Sequence, residues 1–99
     1  MPRPGKLDLA EIVRRLAGLP GWELTDGKLH RSFVFPDFVE AFGFMTAVAA
    51  EAERLGHHPD WRNVYNQVTI DLVTHDVGGI TALDFELAGR AQDLAEPGR

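Results

Sequence analysis

The stretch WELTDGKLHRSFVF, residues 22–35, decides the class of fold. Along its second arm apolar and polar side chains alternate, which is the period of two that a β-strand produces. Asp26-Gly27 separates the arms, and this dipeptide favours the two-residue turn of a β-hairpin. We therefore predict an antiparallel hairpin with one mainly apolar face, ended by Pro36. On the second strand that face consists of Leu29, Arg31, Phe33 and Phe35, with the arginine interrupting the apolar pattern.

A helix is predicted before this hairpin. It begins near Asp8, with Glu11 three residues later as the partner of a capping box, and Gly18 and Pro20 stop it. Its apolar residues recur with the helical period and are expected to form one buried stripe. The stripe consists of Leu9, Ile12, Val13 and Leu16.

A second, longer helix is predicted after the hairpin. Asp37 caps it, with Glu40 three residues later, and Gly56 supplies the position that ends it. A helix that is apolar over so much of its circumference is usually packed on two sides. We expect the chain's own sheet on one side and a second copy of the chain on the other. The apolar stripe consists of Phe38, Phe42, Met45, Ala49, Ala52 and Leu55, widened by Phe44 and Val48.

Strand periodicity returns in the second half of the chain. Val68, Ile70 and Leu72 alternate with other side chains, which is typical of a strand with one solvent-facing side. Alternation alone leaves open whether residues 62–74 form one strand or a hairpin broken at Asn66-Gln67.

A third helix is predicted after a turn at Gly78-Gly79. Thr81 caps it, and its apolar positions are Leu83, Leu87, Ala91 and Leu94. Strands grouped between helices, with an obvious hairpin, favour an α+β fold with an antiparallel sheet and helices on one face.

Length and composition indicate a single small domain. The 99 residues are 44% hydrophobic, enough for one core, and residues 1–6 and 96–99 are expected to be frayed tails. The formal net charge of −5 argues against a non-specific nucleic-acid or anionic-membrane binder, because both need clustered cations. Without cysteine there is no disulfide, zinc knuckle, iron–sulfur cluster or thiol nucleophile. No apolar stretch reaches the length of a membrane span or a signal core, so we expect a cytoplasmic protein.

Histidines supply the candidate chemistry. His57, His58 and His75 are expected around adjoining loops and strand ends, and Glu53 lies four residues before His57, on the same helix face if the last turn persists. Taken singly, each residue fits a simpler role. Glu53 suits a solvated helix, the adjacent histidines suit a helix C-terminus, and His75 suits the wet face of a strand. The group as a whole is harder to explain by structure alone.

Two kinds of site fit these residues. Three imidazoles and a carboxylate are a familiar set of metal ligands. Adjacent residues in an extended loop point to opposite sides, however, so His57 and His58 seldom bind the same ion. Imidazole, with an unperturbed pKa of about 6.5, is also the natural group for acid–base catalysis at neutral pH. The spacing favours two imidazoles around a flat organic molecule.

The segment ERLGHHPDWRNVYN, residues 53–66, resembles the pterin-4a-carbinolamine dehydratase family. The pattern E-x-x-x-H-H-P-x-W, with a later T-H and D, is specific. The likeness covers roughly residues 20 to 95. It continues through Val68-Thr69-Ile70, Thr74-His75, Gly79 and Asp84.

This resemblance implies a four-stranded antiparallel sheet with three helices on one face, in the order α-β-β-α-β-β-α, and makes Asn66-Gln67 a turn. It implies dehydration of 4a-hydroxytetrahydropterin, a by-product of pterin-dependent aromatic amino acid hydroxylases, to quinonoid dihydropterin, with no cofactor and no metal. It also implies a homodimer or homotetramer. A protein-interaction module on the same fold, a second role known in the family, is the alternative function.

The resemblance also assigns residue roles. His57, His58 and His75 are the catalytic histidines, of which the first and last form the acid–base pair and His58 chiefly binds substrate. The substrate-binding residues are Glu53, Thr74, Asp76 and Asp84, with the backbone of residues 74–76 contacting the pterin. From the residues alone, Asp84 is also three residues after Thr81, where it would cap the third helix.

Overall fold

The computed structural model describes residues 5–96, so residues 1–4 and 97–99 of the predicted tails lie outside the described residues. The elements follow the order α-β-β-α-β-β-α, which confirms the predicted α+β fold. A short 3-10 helix, His75–Val77, lies between the last strand and the last helix. In chain order the elements are α1 Leu9–Leu16, β1 Glu23–Thr25, β2 Lys28–Val34, α2 Phe38–Leu55, β3 Asp60–Val64, β4 Gln67–Leu72 and α3 Ala82–Ala95.

The four strands form one antiparallel sheet in the order β1-β2-β4-β3. The first hairpin turns at Asp26 and Gly27, both with positive φ (52° and 77°), as the sequence predicted. The second hairpin shows that residues 62–74 are not one strand. Its turn is Tyr65-Asn66, one residue earlier than the predicted Asn66-Gln67, because Gln67 already pairs with Val64. Tyr65 takes the left-handed conformation there, with φ of 50°.

One face of the sheet meets the helices and forms the core. On β4 the buried apolar residues occupy alternate positions, β2 contributes two more, and the helices contribute to the same apolar cluster. Burial of each large apolar side chain stabilises the fold by about 1.5–3 kcal/mol. Among residues 5–96, no helix is long and apolar enough to cross a membrane. The core strand residues are Leu29, Phe33, Val68, Ile70 and Leu72.

Arg31 interrupts the apolar face of β2 because it lies at the rim of this core. Its guanidinium lies over the ring of Phe33, 4.4 Å from the centroid. The same group donates to the carbonyl oxygen of Pro20 and to the side chain of Gln92 on α3. The cation is thus accommodated by stacking and by hydrogen bonds at the sheet edge.

Helix α2 has the predicted boundaries and buries one side of its predicted apolar surface. The side chain of Asp37 accepts from the amide of Glu40 at the start, and Gly56 ends the helix. Phe38 and Phe42, 47% and 55% exposed, lie on the other side, for which a second copy of the chain is the predicted partner. Both apolar stripes have helical spacing, so periodicity alone could not tell which one meets the sheet. The buried residues are Ala41, Phe44, Val48 and Ala52.

Helix α1 is also less buried than predicted. Asp8 caps it by accepting from the amide of Glu11, as expected. Only Ile12 is buried, however, while Leu9 and Val13 are 64% and 59% exposed. The helix has only eight residues, and its contact with the core covers one apolar side chain fully and Leu16 in part.

Candidate active site

The end of α2 separates the two adjacent histidines. Gly56 takes the left-handed conformation, with φ of 63°, and its amide donates to the carbonyls of Ala52 and Glu53. This left-handed turn ends the helix and changes the direction of the chain. His57 consequently enters the interior, only 5% exposed, while the side chain of His58 is 63% exposed. The two rings thus lie in different environments, as the sequence predicted for an i, i+1 pair.

His57 is paired with a fully buried carboxylate. Its Nε2 lies 2.6 Å from Oδ1 of Asp84, whose side chain has no exposed surface. Because a carboxylate accepts hydrogen bonds, this contact assigns the ring proton to Nε2. Nδ1 is then the nitrogen that Asp84 does not engage.

The second oxygen of Asp84 caps α3. Oδ2 accepts from the backbone amide of Thr81 at 2.8 Å, which completes a capping box with the side chain of Thr81. The predicted capping role is therefore present, and it coexists with the contact to His57.

Two buried hydroxyls complete the network around this carboxylate. Thr74 Oγ1 donates to Asp84 Oδ2 at 2.8 Å, and it lies 2.8 Å from Thr81 Oγ1. Since the Thr74 hydroxyl already donates to Asp84, the Thr81 hydroxyl must donate to Thr74. Thr81 Oγ1 in turn accepts from the amide of Leu83 at 3.2 Å. No buried side-chain nitrogen or oxygen of residues 5–96 lacks a partner.

Glu53 pairs with His58 rather than with His57. Glu53 Oε2 lies 2.5 Å from Nε2 of His58, and both side chains are largely exposed. The predicted sharing of a helix face by Glu53 and His57 is wrong, because α2 ends at Leu55 and the left-handed Gly56 moves His57 off that face.

His75 lies in the 3-10 helix and not at the end of a strand. β4 ends at Leu72, and Thr74 then pairs with Gly79 in an isolated bridge that closes a small loop. His75, 71% exposed, occupies this loop together with the exposed Asp76. Thr74 uses its amide and its carbonyl inside the loop, donating to Gly79 at 2.9 Å and accepting from Val77 at 3.2 Å.

One carboxylate near His75 was not predicted. Asp60 Oδ2, at the first residue of β3, lies 3.5 Å from Nε2 of His75. The signal available in the sequence was its place in His57-His58-Pro59-Asp60, but nothing there pointed to a histidine fifteen positions later. Thr81 was recognised only as a helix cap, although its hydroxyl also belongs to the buried network.

An ion-pair cluster ties the end of α2 to α3. Arg90 Nη1 lies 2.5 Å from Glu51 Oε1, and Arg54 contacts the other oxygen of Glu51. The hydrogen bond from Arg90 lowers the pKa of Glu51 below its usual value, with a further contribution from the charge of Arg54. These contacts hold the helix end that carries His57 close to the helix that carries Asp84.

In the structure each of the three site histidines contacts a carboxylate, and His75 lies in the loop closed by Thr74 and Gly79. The pairs are His57 with Asp84, His58 with Glu53, and His75 with Asp60, each through Nε2 of the ring. Thr74 links the Asp84 pair to the loop of His75. Within residues 5–96, no group of three or more acidic or histidine side chains is placed to hold a metal ion. The arrangement offers imidazoles for proton transfer.

Comparison with known proteins assigns the family. The family model for pterin 4 alpha carbinolamine dehydratase matches residues 5–94. The chain belongs to this family. A relative from Solibacter usitatus, named for the same dehydratase, is 54% identical over 90 residues, which cover 91% of this chain and 95% of the relative. A similarly named protein of Chelativorans is 55% identical over 92 residues, covering 91% and 94%.

Two solved structures share the family fold. The Brucella melitensis protein described as a transcriptional coactivator/pterin dehydratase has a TM-score of 0.89 and 43% identity, and the match covers 92% of this chain and 99% of that one. A pterin dehydratase-like protein identified as a RuBisCO assembly factor in the alpha-carboxysome has a TM-score of 0.62 and 25% identity, covering 76% and 87%. The fold thus occurs in proteins whose titles name different roles.

Proposed function

We propose that this protein dehydrates 4a-hydroxytetrahydropterin to quinonoid dihydropterin, in recycling of the cofactor of aromatic amino acid hydroxylases. The observation that carries the proposal is the buried contact of His57 with Asp84 in a chain of the dehydratase family. Dehydration needs proton donors and acceptors at fixed positions. A ring held by a buried carboxylate is such a group, and it needs no cofactor.

The reaction is an elimination of water. The bond between C4a and the hydroxyl oxygen breaks, N5 loses its proton, and the C4a–N5 double bond forms. Hydroxide is a poor leaving group, so a protonated imidazole that donates to this oxygen lets it leave as water. A second imidazole accepts the N5 proton. General acid–base assistance of this kind is typically worth about 10²–10⁴-fold in rate.

We assign the acid–base pair to His57 and His75, with His58 as the third imidazole that chiefly binds the substrate. The contact with Asp84 fixes the orientation of the His57 ring, so its Nδ1 can be held at a constant angle to a bound pterin. His75 is mostly exposed, so it can exchange protons with solvent after each turnover.

The carboxylates and Thr74 divide into two groups by exposure. Glu53 and Asp76 are exposed, and we assign them to contacts with a polar pterin edge, together with the backbone of residues 74–76. Asp84 and Thr74 are buried and hydrogen-bonded to each other. We assign these two to holding His57, and the backbone of the Thr74 loop to shaping the site beside His75.

The test is a dehydration assay on freshly generated 4a-hydroxytetrahydropterin. We expect the wild-type protein to accelerate formation of the quinonoid product and the double variant His57→Gln, His75→Ala to lose that acceleration. Circular dichroism on the same samples checks folding. If the folded double variant turns over as fast as the wild type, the assignment is wrong. Chelator treatment of the wild type tests the metal alternative, which requires activity to disappear.

A second candidate function is that of an oligomeric protein-interaction module. It is favoured by the apolar surface of α2, where Phe38, Val39 and Phe42 are exposed and Phe38 packs on Phe42. A groove of about 680 Å³ adjoins this surface, between β2, α2 and the end of α3, and none of the site histidines lines it. The two functions are distinguishable, because only the enzyme requires the histidines.

A further inference from the structure

Asp60 is the least expected member of the candidate site. Its Oδ2 lies 3.5 Å from Nε2 of His75 and 3.2 Å from Nζ of Lys28 on β2. One carboxylate oxygen is therefore shared by an imidazole of the site and an ammonium group of the sheet. The side chain of Asp60 is about half exposed, so both contacts form at the rim of the sheet.

The other histidines of the chain also contact carboxylates. Each of the four histidines of the chain lies within 3.5 Å of a carboxylate oxygen, and the fourth pair is His30 with Asp71 at 2.7 Å. In the three pairs of the site, the atom that meets the carboxylate is Nε2. The contact of Asp60 with His75 involves the same ring nitrogen, but it is longer (3.5 Å against 2.6 Å) and more exposed than the buried hydrogen bond of Asp84 with His57.

The strand register places two carboxylates opposite each other, and Lys28 contacts one of them. Asp60 on β3 pairs with Asp71 on β4, so two carboxylates lie directly opposite each other on the helix-free face of the sheet. Like charges in this position repel. Lys28 neutralises Asp60, and His30 contacts Asp71. Lys28 also competes with His75, because both approach the same oxygen.

We propose that Asp60 is a positioning residue for His75, orienting its ring through the contact at Nε2, and that Lys28 limits the strength of this interaction. The proposal rests on the proposed dehydratase function. The charged groups near His75 include Asp60 on β3, Lys28 beside it on β2, the chain neighbour Asp76, and Lys6, whose side chain packs against Gly79 of the same loop. The Asp71–His30 pair lies farther across the sheet. Neither Asp60 nor Lys28 needs to touch the substrate.

The decisive variant is Asp60→Asn, which keeps the shape and removes the charge. Exposed ion pairs are worth about 0.2–1 kcal/mol, so we expect kcat to fall about two- to fivefold at neutral pH while KM changes little. Asp60→Glu should retain most of the activity.

Lys28→Gln tests the competition in the opposite direction. Removing the ammonium leaves Asp60 entirely to His75, so kcat should rise. In the Asp60→Asn background the same substitution should have less than half of that effect, because the shared oxygen has lost its charge. The matched control is Asp93→Asn on the exposed side of α3, which removes one negative charge and should leave kcat unchanged.

An NMR measurement separates this proposal from the proposed function. The ring resonances of His75 should shift in Asp60→Asn, because the ring loses its contact with the carboxylate, and not in Asp93→Asn. This readout needs no substrate, so it decides the positioning role even if the wild type fails to dehydrate the pterin. If Asp60→Asn matches Asp93→Asn in both the ring resonances and kcat, Asp60 does not position His75.

Discussion

His57 Nε2 lies 2.6 Å from Oδ1 of Asp84, and the other oxygen of that carboxylate caps α3. The two residues are 27 positions apart in the chain, so this contact joins the end of α2 to the start of α3. One buried side chain therefore supports both the fold and the orientation of a site imidazole. Substitutions at this point will affect stability and turnover together, and experiments must separate the two.

The buried pair predicts an unequal effect of alanine at the two adjacent histidines. His57→Ala leaves the buried Asp84 without one of its donors, and we expect a loss of about 3–5 kcal/mol in the free energy of unfolding. His58→Ala removes an exposed ring and should change stability by less than about 0.5 kcal/mol. Urea unfolding of both variants measures the difference. Equal stability losses would contradict the structure.

Because His75 is exposed, we expect its replacement to lower activity without lowering stability. His75→Ala should lower kcat about 10²–10⁴-fold and leave the free energy of unfolding nearly unchanged. The matched control is His30→Ala, which also removes a histidine that contacts a carboxylate, Asp71, but lies within β2 and outside the candidate site. It should retain most of the turnover. A similar loss of activity in both variants would argue against a specific role of His75.

The hydroxyl of Thr74 predicts a coupled effect on stability and on the site. Thr74→Val keeps the size but removes one of the two donors to Asp84 Oδ2 and the acceptor of the Thr81 hydroxyl proton, which costs about 1–3 kcal/mol. We expect reduced kcat as well, because Asp84 then holds His57 less firmly. The control is Thr69→Val, because Thr69 is a buried threonine whose hydroxyl pairs with Ser32 on the sheet. This variant should lose stability but keep its kcat. Thermal unfolding and the dehydration assay give the two readouts.

The ion pair of Glu51 with Arg90 predicts part of the loss of folding stability at acid pH. The Arg90 hydrogen bond, assisted by Arg54, lowers the pKa of Glu51 in the folded state below the usual value of 4.5. Its contribution to stability is therefore complete above that value and disappears as the pH falls below it. Glu51→Gln should lose less stability than the wild type between neutral pH and about pH 3. Urea unfolding at both pH values measures this.

The control for that experiment is Glu23→Gln, which removes an exposed glutamate of β1. It should leave the acid-dependent loss of stability as large as in the wild type. If both variants lose equally little stability between neutral pH and about pH 3, the acid-dependent loss in the wild type does not come from the contact of Glu51 with Arg90.

The exposed surface of α2 predicts self-association. Phe42→Glu places a charge in the patch formed with Phe38 and Val39, and we expect a smaller particle by light scattering with an unchanged circular dichroism spectrum. Leu9→Glu is the control, because Leu9 is equally exposed but lies on α1. A wild-type protein that is monomeric at all concentrations would contradict this prediction.

Much of the fold could be predicted because its signals are local. Asp37 and Asp8 cap their helices through the amides three residues ahead, and Asp26-Gly27 adopts the turn that its residues favour. The exact second turn was missed by one residue. Tyr65 occupies a left-handed position there, a conformation that a residue with a Cβ seldom adopts.

The candidate site was only partly predictable. The motif singled out the three histidines and four further residues near them, but the pairing of Glu53 with His58 follows from the conformation of Gly56, which moves His57 away from the helix face. Asp60 was overlooked because its contact with His75 depends on where β3 begins relative to the 3-10 helix.

By itself the sequence determined the order of elements, the caps, the first hairpin and the family, because these depend on neighbours a few residues apart or on a run of spaced identities. Only the tertiary structure decided which stripe of α2 is buried, and that Asp84, Glu53 and Asp60 are the partners of His57, His58 and His75. The physical reason is that burial and most of these pairings arise between elements. Their relative placement is set by packing of the whole core, and no local pattern encodes it.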